Sequence, residues 1–178
     1  MESLRTPCPL VSWYEIVWFP QNIPRMGFVL WLAIKVGLST LYRVQRYDPQ
    51  VVATCVLCNS QADIHAHLFF ECSYSKAIWT QLLNKCGCPW SGLSWYDFIE
   101  WESFHWKGNS PSMVTKNLCL AVAVYCIWRE RNYRFFKSSR KLNVEVAWSI
   151  IDTICCWLSS INLKDWPLLA LNCNINSR

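Results

Sequence analysis

Three cysteines and one histidine in the middle of the chain have the side chains and the spacing to bind a metal ion. They are Cys55, Cys58, His67 and Cys72. With two residues between Cys55 and Cys58, one tight turn can bring both thiolates to the same ion, and a returning His and Cys complete a tetrahedral set. Four protein ligands leave no open coordination position, so the pattern predicts a structural zinc (Zn²⁺) site that supports folding and performs no chemistry. Ordinary core thiols beside a surface histidine are the alternative interpretation.

A closed zinc site would dominate the folding of this part of the chain. Structural zinc contributes on the order of 10 kcal/mol to folding, which is comparable to the stability of a whole domain. We therefore expect residues 50–80 to fold around the ion and to unfold when one ligand is lost.

A second histidine, His65, lies two residues before His67 and offers the same imidazole. If His65 were the ligand, six residues would separate it from Cys58. We favour His67 because the four residues between His67 and Cys72 repeat the return spacing of zinc knuckles. His65 is then expected in a loop beside the site, although the spacing alone leaves both assignments open.

Composition indicates an intracellular protein with a large aromatic core. The 178 residues are 53% hydrophobic and include 12 tryptophans, which is enough to build a core without disulfides. Eleven cysteines without a secretory pattern in the first thirty residues favour a reducing compartment, and a nuclear location is plausible. The longest apolar runs, residues 26–34 and 118–128, are shorter than the roughly 20 residues of a membrane span, so no membrane partner is expected.

Apolar periodicity predicts a mostly α-helical fold, in which a small helical domain built around a CCHC zinc knuckle is followed by a C-terminal helical hairpin. Caps and breakers suggest the helix bounds, with Gly37 as the stop of the first helix. The predicted helices are 25–36, 39–47, 73–85, 95–101, 113–137 and 144–161. The expected organisation is a zinc-binding domain over 10–90, a linker with a short helix over 91–111, a helical annex over 112–165 and a tail over 166–178.

Short motifs lie on both sides of the first two candidate ligands. Those before the thiols are Val17-Trp18, Pro24-Arg25, Phe28-Val29-Leu30-Trp31 and Leu38-Ser39-Thr40. Those that follow are Asp63, His67-Leu68-Phe69, Cys72, Ile78-Trp79, and a downstream signature of Ile127, Trp128, Glu130, Arg131 and Asn132. With these motifs the chain resembles the reverse-transcriptase zinc-binding domain at the C-terminal end of LINE-type, non-long-terminal-repeat retroelement polyproteins of plants. Leu41 and Asp63 depart modestly from the family pattern, and neither is a proposed ligand.

The basic residues cluster near one helix end, which indicates a contact with nucleic acid. Residues 129–141 contain six of the 17 basic residues and one of the 12 acidic ones, so this segment carries the whole formal excess of +5. The cations are Arg129, Arg131, Arg134, Lys137, Arg140 and Lys141. They alternate with Tyr133, Phe135 and Phe136, and these residue types neutralise phosphates and stack on unpaired bases of single-stranded RNA or DNA. The alternative is a solvated helix end whose aromatic rings turn inward.

Catalysis is not expected from this sequence. No adjacent aspartate pair is present to hold the two metal ions of a polymerase, and no nucleophile elbow or phosphate loop appears. The resemblance implies a non-catalytic zinc-binding module that assists RNA or DNA binding beside a polymerase, with no small-molecule substrate. Two alternatives remain: a domain that docks on the polymerase or another protein through Trp90, Trp95, Trp101 and Trp106, and a degenerate retroelement fragment without a selected function.

Overall fold

The computed structural model describes residues 11–85, 92–105, 108, 110–137 and 139–161. These ranges contain helices and no strand, and an isolated antiparallel bridge joins Thr54 and Ala62. The prediction of a mostly α-helical fold is confirmed. In chain order the elements are α1 (Tyr14–Val17), α2 (Pro24–Ile34), α3 (Leu41–Val44), a π-helical turn (His67–Glu71), α4 (Ser73–Lys85), α5 (Trp95–His105), α6 (Pro111–Lys137) and α7 (Asn143–Ser160). The predicted tail over 166–178 lies outside the described residues.

Helix α2 begins and ends as its local chemistry dictates. Pro24 occupies the first turn, where its missing N–H is not needed. At the other end, the N–H of Gly37 donates to the carbonyl of Leu32 at 2.7 Å, the bond that closes a Schellman-type helix end. The left-handed residue of this end is Val36, with φ of 52°, and the predicted stop at Gly37 comes one residue later.

The two long C-terminal helices pack against each other and also hold the N-terminal elements. Helix α6 contacts α2 and α7, and α7 also contacts α4. Side-chain hydrogen bonds join the same parts of the chain. The indole N–H of Trp157 donates to the carbonyl of Gln21 at 2.7 Å, and the hydroxyl of Tyr74 donates to the carbonyl of Lys141 at 2.9 Å. The buried core runs continuously from Ile16 to Leu158, so the zinc-binding segment and the C-terminal helices share one apolar interior.

Helix α6 is long and apolar enough to cross a membrane by length and composition alone. Just over half of its most apolar window, 56%, is buried inside the protein. A core helix of a soluble domain passes the same test, so this property is weak evidence for a membrane span.

The tryptophans predicted to form a docking surface do not all lie outside. Trp95 is buried, and its ring lies 5.2 Å from that of Phe69 and 5.3 Å from that of Phe70. Its inclusion in a docking surface was therefore wrong, because these ring contacts place it in the core. Trp101 is 46% exposed, and Trp90 and Trp106 lie outside the described residues.

Candidate metal centre

A short hairpin over residues 53–63 positions the first two cysteines. The N–H of Cys55 donates to the carbonyl of Gln61 at 2.7 Å, and that of Asp63 donates to the carbonyl of Ala53 at 2.8 Å. At the tip, Asn59 adopts a left-handed conformation with φ of 55°, which asparagine tolerates better than most residues. Its N–H returns to the carbonyl of Cys55 at 2.8 Å, and this tight turn aims Cys55 and Cys58 to the same side.

The π-helical turn positions the other two side chains. The N–H of Cys72 donates to the carbonyl of His67 at 2.7 Å, so the two residues lie one wide turn apart and face the hairpin. Between them, Leu68, Phe69 and Phe70 are buried and anchor the turn in the core. Cys72 immediately precedes α4, where free backbone N–H groups favour a thiolate.

The four predicted ligand atoms converge on one point. The sulfurs of Cys55, Cys58 and Cys72 and a ring nitrogen of His67 all lie within 4.8 Å of one another. Cys55 Sγ is 4.0 Å from Cys72 Sγ, and Cys58 Sγ is 3.3 Å from His67 Nε2. A tetrahedral zinc ion with bonds of about 2.3 Å to sulfur and about 2.0 Å to nitrogen requires separations of about 3.8 Å and about 3.5 Å. The donor set and its spacing therefore fit zinc with all four positions filled by protein.

The two buried thiols of the cluster divide their protons unequally. The sulfur–sulfur hydrogen bond from Cys55 lowers the pKa of Cys72 to about 5, and backbone N–H groups of Ser75 and Tyr74 act in the same direction. The same hydrogen bond, together with burial, raises the pKa of Cys55. Without metal the two sulfurs therefore share a proton through this hydrogen bond, and a divalent cation would displace it.

The other histidine of the motif lies outside the cluster. His65 is buried, and burial together with the nearby Arg43 lowers its pKa to about 4, so its imidazole is neutral near pH 7. Its Nε2 has no hydrogen-bond partner within the described part of the chain, and it lines a cavity with Thr40 and Arg43. The geometry thus brings His67, and not His65, to the three thiols.

An ion pair connects the metal-binding hairpin to helix α6. Asp63, the last residue of the hairpin, accepts hydrogen bonds on Oδ2 from Arg131 Nε at 3.0 Å and from Arg131 Nη2 at 2.6 Å. The same oxygen accepts the N–H of Leu41 at 2.8 Å, which ties the start of α3 to the pair. Both charged side chains are buried, with exposed fractions of 0% for Asp63 and 2% for Arg131.

Two of the six predicted nucleic-acid-binding cations therefore make hydrogen bonds within the protein. Arg131 is buried against Asp63, and Arg134 donates to Glu130 at 2.8 Å and to the carbonyls of Leu57 and Lys141. The remaining four are accessible in different degrees: Arg129 is half-buried over the ring of Tyr125, whereas Lys137, Arg140 and Lys141 are exposed.

The aromatic residues of this segment contradict the alternative of a solvated helix end whose aromatic rings turn inward. Phe136 is 72% exposed and Phe135 is also exposed, so the rings do not turn inward while the arginines face solvent. Sequence reasoning missed this inversion because the partner of Arg131 is 68 residues away. A signal that could have found it is that Asp63 and Arg131 both lie in the motifs that carry the resemblance described under Sequence analysis.

Comparison with known proteins agrees with the geometry. Residues 2–79 match the family described as zinc-binding in reverse transcriptase, and this range includes all four clustered side chains. Comparisons with curated proteins and with solved structures found no match. Residues 2–79 therefore carry a zinc-binding domain of the reverse-transcriptase type, and the Cys₃His cluster within this range is its zinc site.

Proposed function

We propose that the chain is a non-catalytic module of a plant LINE-type retroelement that helps to hold single-stranded RNA or DNA beside the polymerase of the same polyprotein. The observation that carries this proposal is a solvent-facing group of cations and rings, the basic end of α6. It comprises Tyr133, Phe136, Lys137 and Arg140, all of which are exposed. Lys137 Nζ lies 5.0 Å from the ring of Tyr133, so charge and stacking surface adjoin.

The chemistry of this surface suits an unpaired strand better than a folded protein partner. Lysine and arginine neutralise phosphates without reading sequence, and exposed rings offer a face on which any base can stack. The zinc site, with its four protein donors, supplies rigidity and leaves no ligand position for a substrate. We extend the proposal to a reducing intracellular compartment, such as the nucleus, because zinc requires the cysteines as thiolates.

Titration of the zinc-loaded chain with a labelled ten-nucleotide oligouridylate at 50 and 200 mM salt tests the proposal. The logarithm of the affinity should fall with the logarithm of salt by about 0.7 per phosphate contact. Charge reversal of Lys137 and Arg140 to Glu should remove about 1.4 from that slope. The matched control reverses two exposed lysines elsewhere, Lys35 and Lys76, and should leave the slope closer to that of the wild type.

Two results would reject the proposal. One is a wild-type chain that binds neither RNA nor DNA at 50 mM salt. The other is a control variant that loses as much affinity as the Lys137 and Arg140 variant, since binding would then follow net charge and not this surface.

Protein docking is a second candidate because the outer face of α5 exposes three aromatic rings, beside the carboxylates of Asp97 and Glu100. Tyr96, Trp101 and Phe104 are each between 46% and 63% exposed on this helix. If this face binds the polymerase segment, Trp101→Glu with Phe104→Glu should abolish co-elution of the two proteins and leave oligouridylate binding intact. Co-elution that survives both substitutions would reject docking through α5.

A further inference from the structure

A cavity separate from the basic end of α6 has the chemistry of a nucleotide site. It measures about 410 Å³ and lies between α3, residues 64–66 and the start of α5. This volume is within the range of small-ligand sites. The lining residues that matter for the argument are Thr40, Tyr42, Arg43, Arg46, His65 and Tyr96.

Two buried polar groups in the lining have no hydrogen-bond partner in the described ranges. They are the hydroxyl Oγ1 of Thr40, in a residue 1% exposed, and Nε2 of His65, in a residue 3% exposed. Buried polar atoms are nearly always hydrogen-bonded in folded proteins, so such a pair beside a cavity indicates a ligand or ordered water that completes them. An imidazole nitrogen and a hydroxyl can each take part in a further hydrogen bond, which suits the mixed edge of a base or a sugar hydroxyl.

The charged lining is entirely positive. Among the residues that the structure describes, it contains the guanidinium groups of Arg43 and Arg46 and no carboxylate. Arg43 Nη1 donates to the carbonyl of Val36 at 2.6 Å, which fixes the group and leaves its other N–H donors available. Guanidinium is the preferred partner of phosphate because its planar N–H groups match two phosphate oxygens.

The aromatic lining supplies a surface for a base. The rings of Tyr42 and Tyr96 are 44% and 55% exposed, and the guanidinium of Arg46 lies 5.3 Å from the centre of the Tyr42 ring. An exposed tyrosine beside a cationic group is the usual platform for an unpaired base whose phosphate is neutralised next to it.

We propose that this cavity binds one nucleotide of a single-stranded nucleic acid, with its phosphodiester on Arg43 and Arg46 and its base against Tyr42 or Tyr96. The inference rests on the proposed function and assigns it a second contact site. No covalent step is involved, and the expected contribution is affinity without preference for sequence.

The test uses the zinc-loaded full chain and the same ten-nucleotide oligouridylate. Arg46→Glu should weaken binding and lower the salt slope by about 0.7, as expected when one phosphate contact is lost. Tyr96→Ala should weaken binding roughly 5- to 150-fold with little change in the slope, since stacking is uncharged. The matched controls are Lys76→Glu and Tyr47→Ala, which change exposed residues that do not line the cavity.

The outcomes distinguish the cavity site from the proposed function of the whole chain. Wild-type binding with no loss in Arg46→Glu and Tyr96→Ala overturns the cavity site and leaves the proposed function standing. Loss in these two variants but not in the Lys137 and Arg140 variant supports the cavity and moves the interface away from α6. No wild-type binding rejects both. Unchanged zinc content and thermal midpoint, expected because Arg46 and Tyr96 are exposed, show that each variant remains folded.

Discussion

Replacing Arg131 by methionine should destabilise the zinc-loaded protein by about 3–5 kcal/mol, the range found when one partner of a buried ion pair is removed. The structure explains why the loss should be that large. Oδ2 of Asp63 accepts three hydrogen bonds, of which two come from Arg131 and one from the N–H of Leu41. Its Oδ1 has no partner within the described residues. In Arg131→Met, a fully buried carboxylate would keep a single backbone donor.

A second substitution separates the unpaired charge from other effects of the change. Asp63→Asn in the Arg131→Met background removes the charge, and we expect it to recover about 1–3 kcal/mol, a typical coupling energy between contacting residues. Arg129→Met provides a control on the same helix, because Arg129 is half-buried and its guanidinium lies 5.7 Å from the centre of the Tyr125 ring. That control should lose less than about 1 kcal/mol.

Urea unfolding followed by two signals provides the measurement. Far-ultraviolet circular dichroism reports mainly on the long helices, and zinc release to a coloured chelator reports on the Cys₃His cluster. Because Asp63 ends the metal-binding hairpin and Arg131 lies on α6, both signals should shift together to lower urea in Arg131→Met. A loss below about 1 kcal/mol, or a double variant no more stable than Arg131→Met, would refute the assignment of Asp63 and Arg131 as the connection between hairpin and helix.

Three further predictions concern the metal and a buried acid. Cys72→Ser should abolish stoichiometric zinc binding, measured by elemental analysis, and should unfold residues 50–80. A strong chelator should unfold the same residues in the wild type, since a structural site loses on the order of 10 kcal/mol without metal. A native circular dichroism spectrum after chelation would contradict this prediction. His67→Ala should release zinc while His65→Ala retains it, and the opposite result would make His65 the ligand. Burial raises the pKa of Glu102 to about 9, against which the charge of Lys116 acts weakly, so the folded state holds a proton that the unfolded chain releases above about pH 4.5. Wild-type stability should therefore fall between pH 5 and 9, and Glu102→Gln should remove most of that fall; parallel profiles in thermal unfolding would show that the carboxyl is not buried.

Elements governed by local pattern were predictable from the sequence. Apolar residues at helical spacing predicted helices over 113–137 and 144–161. The structure has helices at Pro111–Lys137 and Asn143–Ser160, because the same apolar residues pack in the core. The four residues of the metal cluster were also predictable, because the short turns that aim them are encoded within 18 consecutive residues. Helix α1 is not predictable from local pattern because it has four residues and no side-chain cap, and tertiary contacts stabilise it.

Long-range pairs could not be read from local pattern. Arg131 lies in a basic segment, and counting charges there predicts a solvated face. Its burial depends on Asp63, whose position relative to α6 is set only after the hairpin, the π-helical turn and the core are assembled. Trp95 shows the same limit, because its neighbourhood of exposed aromatic residues on α5 gives no sign that Phe69 and Phe70 cover its ring.

The distribution of positive charge in the folded protein differs from the distribution in the sequence. The sequence places the whole excess in residues 129–141, but Arg131 and Arg134 use their guanidinium groups on Asp63 and Glu130. In the two proposals above, the cations that contact phosphate are those at the basic end of α6 and, at the cavity, Arg43 and Arg46. Asp63 connects the two regions, since its Oδ2 binds α6 through Arg131 and the start of α3 through the N–H of Leu41. A strand bound at both proposed sites would therefore contact two segments that the buried Asp63 carboxylate joins through its hydrogen bonds.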